Sequence, residues 1–102
     1  MIPIEIRNKC ASLLTLALGH NDPEKLMFFI RLEGHVNWFE VEASTEHYRI
    51  KVYNRKVYLE KGEDGWEDVM SGLDGIEADM KKLIAGQFSY EIKTKFEQEV
   101  AA

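Results

Sequence analysis

Between Leu26 and Glu60 apolar and polar residues alternate with the period of two that a half-buried β-strand requires, and three turn candidates interrupt the alternation without scrambling it. Leu26, Phe28, Ile30 and Leu32 fall on one side, with Met27, Phe29, Arg31 and Glu33 on the other. Gly34-His35 suits a two-residue type II′ turn, because glycine accepts a positive φ at its first position. That turn sets Ile30 against Phe39 and Phe28 against Val41 on one face, and Arg31 against Trp38 and Phe29 against Glu40 on the other. A four-residue loop at Ser44 to His47 then pairs Val41 with Ile50 and Phe39 with Val52. On the opposite side Glu40 meets Lys51, Glu42 meets Arg49, and Trp38 meets Tyr53. A third turn at Asn54-Arg55 leads into Lys56 to Glu60, pairing Val52 with Val57 and Ile50 with Leu59. A one-residue slip at any of these turns would mix the two faces. The expectation is a four-stranded antiparallel meander with Phe28, Ile30, Phe39, Val41, Ile50, Val52, Val57 and Leu59 on its inner face.

Helical spacing flanks this sheet. Ile6, Cys10, Leu13, Leu14, Ala17 and Leu18 recur at three and four residues, which predicts a helix from Ile4 to Leu18 stopped at Gly19. His20-Asn21-Asp22-Pro23 breaks the pattern. Beyond Gly62-Glu63-Asp64-Gly65, the residues Trp66 to Met70 fit a short helical turn, and Leu73, Ile76, Met80, Leu83 and Ile84 mark a second helix ended by Gly86. Phe88, Tyr90, Ile92, Thr94 and Phe96 alternate as a strand does, while Phe88, Ile92, Phe96 and Val100 also fit a helical stripe; the strand is preferred, one that could pair with another chain. The chain thus reads as a single α+β domain over residues 1–102: an N-terminal helix, the meander, a second helix packed on the same sheet face, and a C-terminal strand or helix.

With 45% apolar and 30% charged residues, 102 residues suffice for one packed core. Cys10 is the sole cysteine, which excludes an internal disulfide and a multi-thiolate metal site and suits a reducing, cytoplasmic setting. Arg7 and Lys9 before the apolar stretch Cys10 to Leu18 resemble a secretory signal only superficially, since Glu5 and three early isoleucines spoil the basic start. No apolar run approaches the roughly 20 residues that span a bilayer, so no membrane partner is expected.

The net charge of −5 is concentrated. Residues 60–79 hold eight acids against one lysine, whereas the segments on either side are each close to balance. A surface that tracks phosphates needs the opposite sign, which argues against nucleic acid as the partner. No phosphate loop, nucleophile elbow, zinc-protease or calcium-loop motif is present, and no cofactor is implied. His20, Asp22, Glu46 and His47 fall at loops that share one end of the sheet, so a metal-dependent hydrolase at His20, Asp22 and His47 is an alternative; capping and solvation explain these residues more simply. Cys10 on an apolar helix face reads as a small buried side chain rather than a nucleophile.

Two surfaces remain. The outer sheet face gathers Phe29, Arg31, Trp38, Tyr53 and Tyr58 with Lys51, Lys56 and Arg49. That composition suits a protein interface, and as an alternative it offers a stacking platform for single-stranded nucleic acid. Against the second stand Glu40, Glu42, Glu60 and Glu33, which cancel the basic charge. The acidic segment, with Glu63, Asp64, Glu67 and Asp68 around Trp66, reads either as a solvated loop and helix start or as an imitation of a nucleic-acid backbone that would occupy a basic groove on a partner enzyme. The expected function is therefore a small, acidic, non-enzymatic protein-binding domain of the inhibitor, immunity-protein or chaperone-like adaptor kind. It would act through the 60–79 segment, the aromatic face, or both, and a second copy of the chain is one candidate partner.

Overall fold

The computed structural model describes residues 1–33, 37–45, 50–63 and 65–86. Two helices lie on one face of an antiparallel sheet, in the order α1 (Ile4–His20), β1 (Met27–Glu33), β2 (Trp38–Thr45), β3 (Ile50–Tyr58) and α2 (Glu67–Ile84). The α+β class, the helix at each flank and the antiparallel sheet agree with the sequence. The described sheet has three strands rather than four, ordered β1-β2-β3. The C-terminal strand or helix at residues 88–100 lies outside the described residues, as do Gly34-His35 and the loop residues 46–49.

On α1 the buried stripe is Ile6, Leu13 and Ala17 with half-buried Cys10 between them, a spacing of three to four residues that turns one face to the sheet. The helix reaches His20, two residues beyond the end at Leu18 that glycine at 19 suggested. Val69, Leu73, Ile76, Met80 and Leu83 form the matching stripe of α2. This helix runs unbroken through Ser71-Gly72, so the separate helical turn expected at Trp66 to Met70 is its first turn. Glu67 and Asp68 at its start and Lys81 and Lys82 at its end complement the helix dipole.

The parity of the first two strands holds, with a register two residues from the expected one. Ile30 pairs with Val41, Phe28 with Ala43, Arg31 with Glu40 and Phe29 with Glu42, which opens the connection to residues 34–37. The third strand overturns more. Asn54-Arg55 is not a turn; it sits inside β3, where Asn54 pairs with Glu42 and Arg55 with Val41. The sequence changes parity between Val52 and Val57, and a hairpin was the expected device. The chain instead uses a β-bulge: Ala43 pairs with Tyr53 and Ser44 with Lys51, leaving Val52 unpaired. Val52 and Tyr53 are consequently both buried, at 2% and 4% exposure. Tyr53, Arg55 and Val57 therefore face the helices, and the expected outward pairing of Tyr53 with Trp38 does not form.

Two glycines let α2 lie close on β3. A Cβ at Gly72 would stand 2.9 Å from Val57 Cγ2, and one at Gly75 would stand 2.6 Å from Arg55 Nη1. The Arg55 guanidinium can swing away, whereas the short branched Val57 side chain cannot. Leucine at Gly72 is expected to destabilise the fold by about 1 to 3 kcal/mol through overpacking, read as a lower urea midpoint, while Gly75→Ala stays within about 1 kcal/mol of the parent.

Candidate partner-binding surfaces

The two helices run parallel across the sheet, so their first turns share one end of the molecule. Pro3, Glu5 and Ile6 of the α1 start meet Trp66, Glu67 and Met70 of the α2 start around an open notch of about 300 Å³. Trp66 is half-buried there, while Glu5, Glu67 and Asp68 are exposed, as are Glu60 and Glu63 on the approach to α2. Asp64, which the sequence places in the same cluster, lies outside the described residues.

The acidic segment divides by what its members touch. Lys9 of α1 reaches Asp74 at 2.8 Å and Glu77 at 3.0 Å, and the Asp74 carboxylate is the first cause of a Lys9 pKa held above the usual value. Asp79 accepts a hydrogen bond from the Tyr53 hydroxyl at 2.7 Å and pairs with Arg55 at 3.3 Å. These three acids tie α2 to α1 and to β3. Glu60, Glu63, Glu67 and Asp68 have no ion-pair partner among the described residues. These seven acids thus do two jobs, set by where Lys9 and Arg55 stand. Sequence reading missed that division, and it missed Glu5 and Met70 at the notch, because both depend on the helices being parallel.

The outer sheet face is largely satisfied by itself. Glu42 is only 7% exposed, and its carboxylate receives Lys51 at 3.1 Å, Asn54 Nδ2 at 3.4 Å and Arg31 at 3.9 Å. Glu40 takes Arg31 at 3.5 Å and Asn54 Nδ2 at 3.1 Å. A buried carboxylate requires such partners, and they consume the cations that a phosphate backbone would need. The Trp38 ring has Lys56 Nζ 4.2 Å from its centroid and Tyr58 edge-on at 5.9 Å, so the indole already carries a cation–π and an aromatic contact. Its indole N–H is buried with no acceptor among the described residues, for which the geometry offers no explanation. Tyr58 is exposed and Phe29 half-buried. Tyr53, the third ring of the expected stacking platform, belongs to the core. Burial is the main cause of a Tyr53 pKa far above that of a free phenol, with the Asp79 carboxylate adding to it.

His20 and Asp22 do line a common cavity, of about 610 Å³, with Leu26, Ile50, Leu83 and Gly86. Asp22 is engaged in its own turn, its Oδ1 accepting the Glu24 N–H at 3.0 Å while its backbone bridges to Leu26. Glu46 and His47 lie outside the described residues, and among the described ones no group of three metal-ligating side chains converges. No helix among the described residues is long and apolar enough to cross a membrane. No protein-family model matches the chain, and neither a curated protein nor a solved structure matches it.

Proposed function

We propose that this chain is a non-enzymatic protein-binding domain, and that it docks a basic segment carrying an apolar anchor on the end where both helices begin. One observation carries the reading: among the described residues, Glu60, Glu63, Glu67 and Asp68 stand exposed without a cation partner around a Trp66 notch, while Asp74, Glu77 and Asp79 are spent on internal pairs. Solvation and the dipole of α2 explain part of that acidity, since carboxylates in a first turn contribute about 0.3 to 1 kcal/mol each. They do not account for a half-buried tryptophan set among the acids. An aromatic anchor with like-charged surroundings provides a tight central contact and a long-range field that selects and steers an oppositely charged partner. An inhibitor or adaptor of a basic protein works in this way, and no bond-making chemistry is required of the site.

Synthetic peptides test it. In a Trp38→Phe background, where Trp66 is the only indole, an alternating lysine–leucine peptide is expected to shift Trp66 emission, and added salt is expected to weaken the effect. The combined variant Glu63→Lys, Glu67→Lys and Asp68→Lys, with its fold checked by circular dichroism, should bind about tenfold more weakly, the equivalent of 1.4 kcal/mol. A glutamate–leucine peptide that binds equally well, or a triple variant that binds as the parent does, would contradict the proposal.

A further inference from the structure

The notch between the two helix starts is made of unlike parts. Its floor is apolar: Ile6 belongs to the core, and Met70 and Trp66 pack against that core while the rest of their surface lines the notch, beside Pro3. Its other two lining residues are carboxylates, Glu5 as the second residue of α1 and Glu67 as the first of α2. Both are exposed, and neither has a cation partner among the described residues. The cations of α1 serve elsewhere. Lys9 is held between Asp74 and Glu77. Arg7, two residues on and so about 200° around the helix from Glu5, lines the groove on the flank toward β1.

This mixture discriminates among the side chains that could enter. A leucine or phenylalanine fits the floor, yet it takes water from Glu5 and Glu67 and returns no hydrogen bond, and a carboxylate dried without a partner is costly. A lysine brings its charge as a compact, strongly hydrated ammonium that pairs but does not stack. An arginine meets both parts of the notch. Its stem of methylenes covers Ile6 and Met70, and its planar guanidinium lies against the Trp66 indole. Stacking uses the flat face of the guanidinium and pairing uses its edge, where five N–H donors suffice for two carboxylates arriving from different helices.

We infer that the residue seated in the notch is an arginine of the partner segment, stacked on Trp66 and paired with Glu5 and Glu67. The inference rests on the docking reading proposed above and narrows it. Glu60, Glu63 and Asp68 draw in a basic segment of any sequence, whereas the notch selects an arginine within it. The first effect is long-ranged and weakened by salt; the second acts in contact and is screened much less.

Peptides of equal charge separate the two effects. In the alternating lysine–leucine peptide the central leucine is replaced by arginine, lysine or citrulline, and each peptide is titrated into the full chain by calorimetry. The arginine peptide is expected to bind about tenfold more tightly than the lysine peptide, which carries the same net charge. Citrulline, with nearly the shape of arginine and no charge, should lose that gain. Added salt should weaken the arginine and lysine peptides together and leave their ratio largely in place. In the double variant Glu5→Gln and Glu67→Gln, with its fold checked by circular dichroism, these two peptides should bind alike. Equal binding of the arginine and lysine peptides to the parent, a gain kept by citrulline, or a gain that persists in the double variant would overturn the assignment of arginine and leave the docking of a basic segment standing. A series in which no peptide binds would overturn both.

Discussion

Ile76→Ala is expected to lower stability by about 2 to 5 kcal/mol, because Ile76 is fully buried in the middle of the α2 stripe and has α1 on one side and the sheet beneath. The removed methylenes lose their transfer free energy, and the cavity left between two helices and a sheet cannot collapse without moving one of those layers. For a domain of this size each kcal/mol lowers Tm by roughly 4 to 8 °C, so a calorimetric drop of at least about 8 °C is anticipated. A drop under about 2 °C would mean that this face of α2 is not in the core.

Asp79→Ala should cost about 2 to 3 kcal/mol for a different reason. It deletes little packing but leaves the buried Tyr53 hydroxyl without its acceptor and Arg55 without its counter-charge. The same bond gives the fold a pH dependence. The Tyr53 phenol has a raised pKa when folded and an ordinary one of 10.0 when unfolded, so between those values the native state holds the proton more tightly. The stabilisation is complete below pH 10 and is lost as pH rises above it, with a slope of about 1.4 kcal/mol per pH unit. In Tyr53→Phe that slope should be absent from urea midpoints measured between neutral pH and pH 11. Its persistence in the variant would place the titration elsewhere.

Much of the sheet was legible because side-chain direction in a strand has a period of two, and Phe28, Ile30, Phe39 and Val41 leave little freedom in which side is buried. The change of side between Val52 and Val57 was legible as well. Its mechanism was not, since Asn54-Arg55 is acceptable turn chemistry and nothing local distinguishes a hairpin from a bulge. What decides it is tertiary: a continuous β3 seats Tyr53 on Asp79 and Val57 on Gly72, 26 and 15 residues away. Gly72 illustrates the same point, since a glycine read as a helix boundary proves to be a helix–sheet contact. At the acidic end the composition pointed to a cluster, but its division into internal pairs and free carboxylates depends on Lys9 and Arg55, whose neighbours only the fold reveals.

The assignment of surfaces rests on Tyr53 lying beneath the helices and not on the outer face. Spectrophotometric tyrosine titration of the native protein beside Tyr53→Phe tests it directly. The two native curves should coincide through the alkaline range, and the missing phenolate should show only once the chain unfolds. A variant that loses an ionisation step while still folded would put Tyr53 in open water and restore the outer face as a stacking surface.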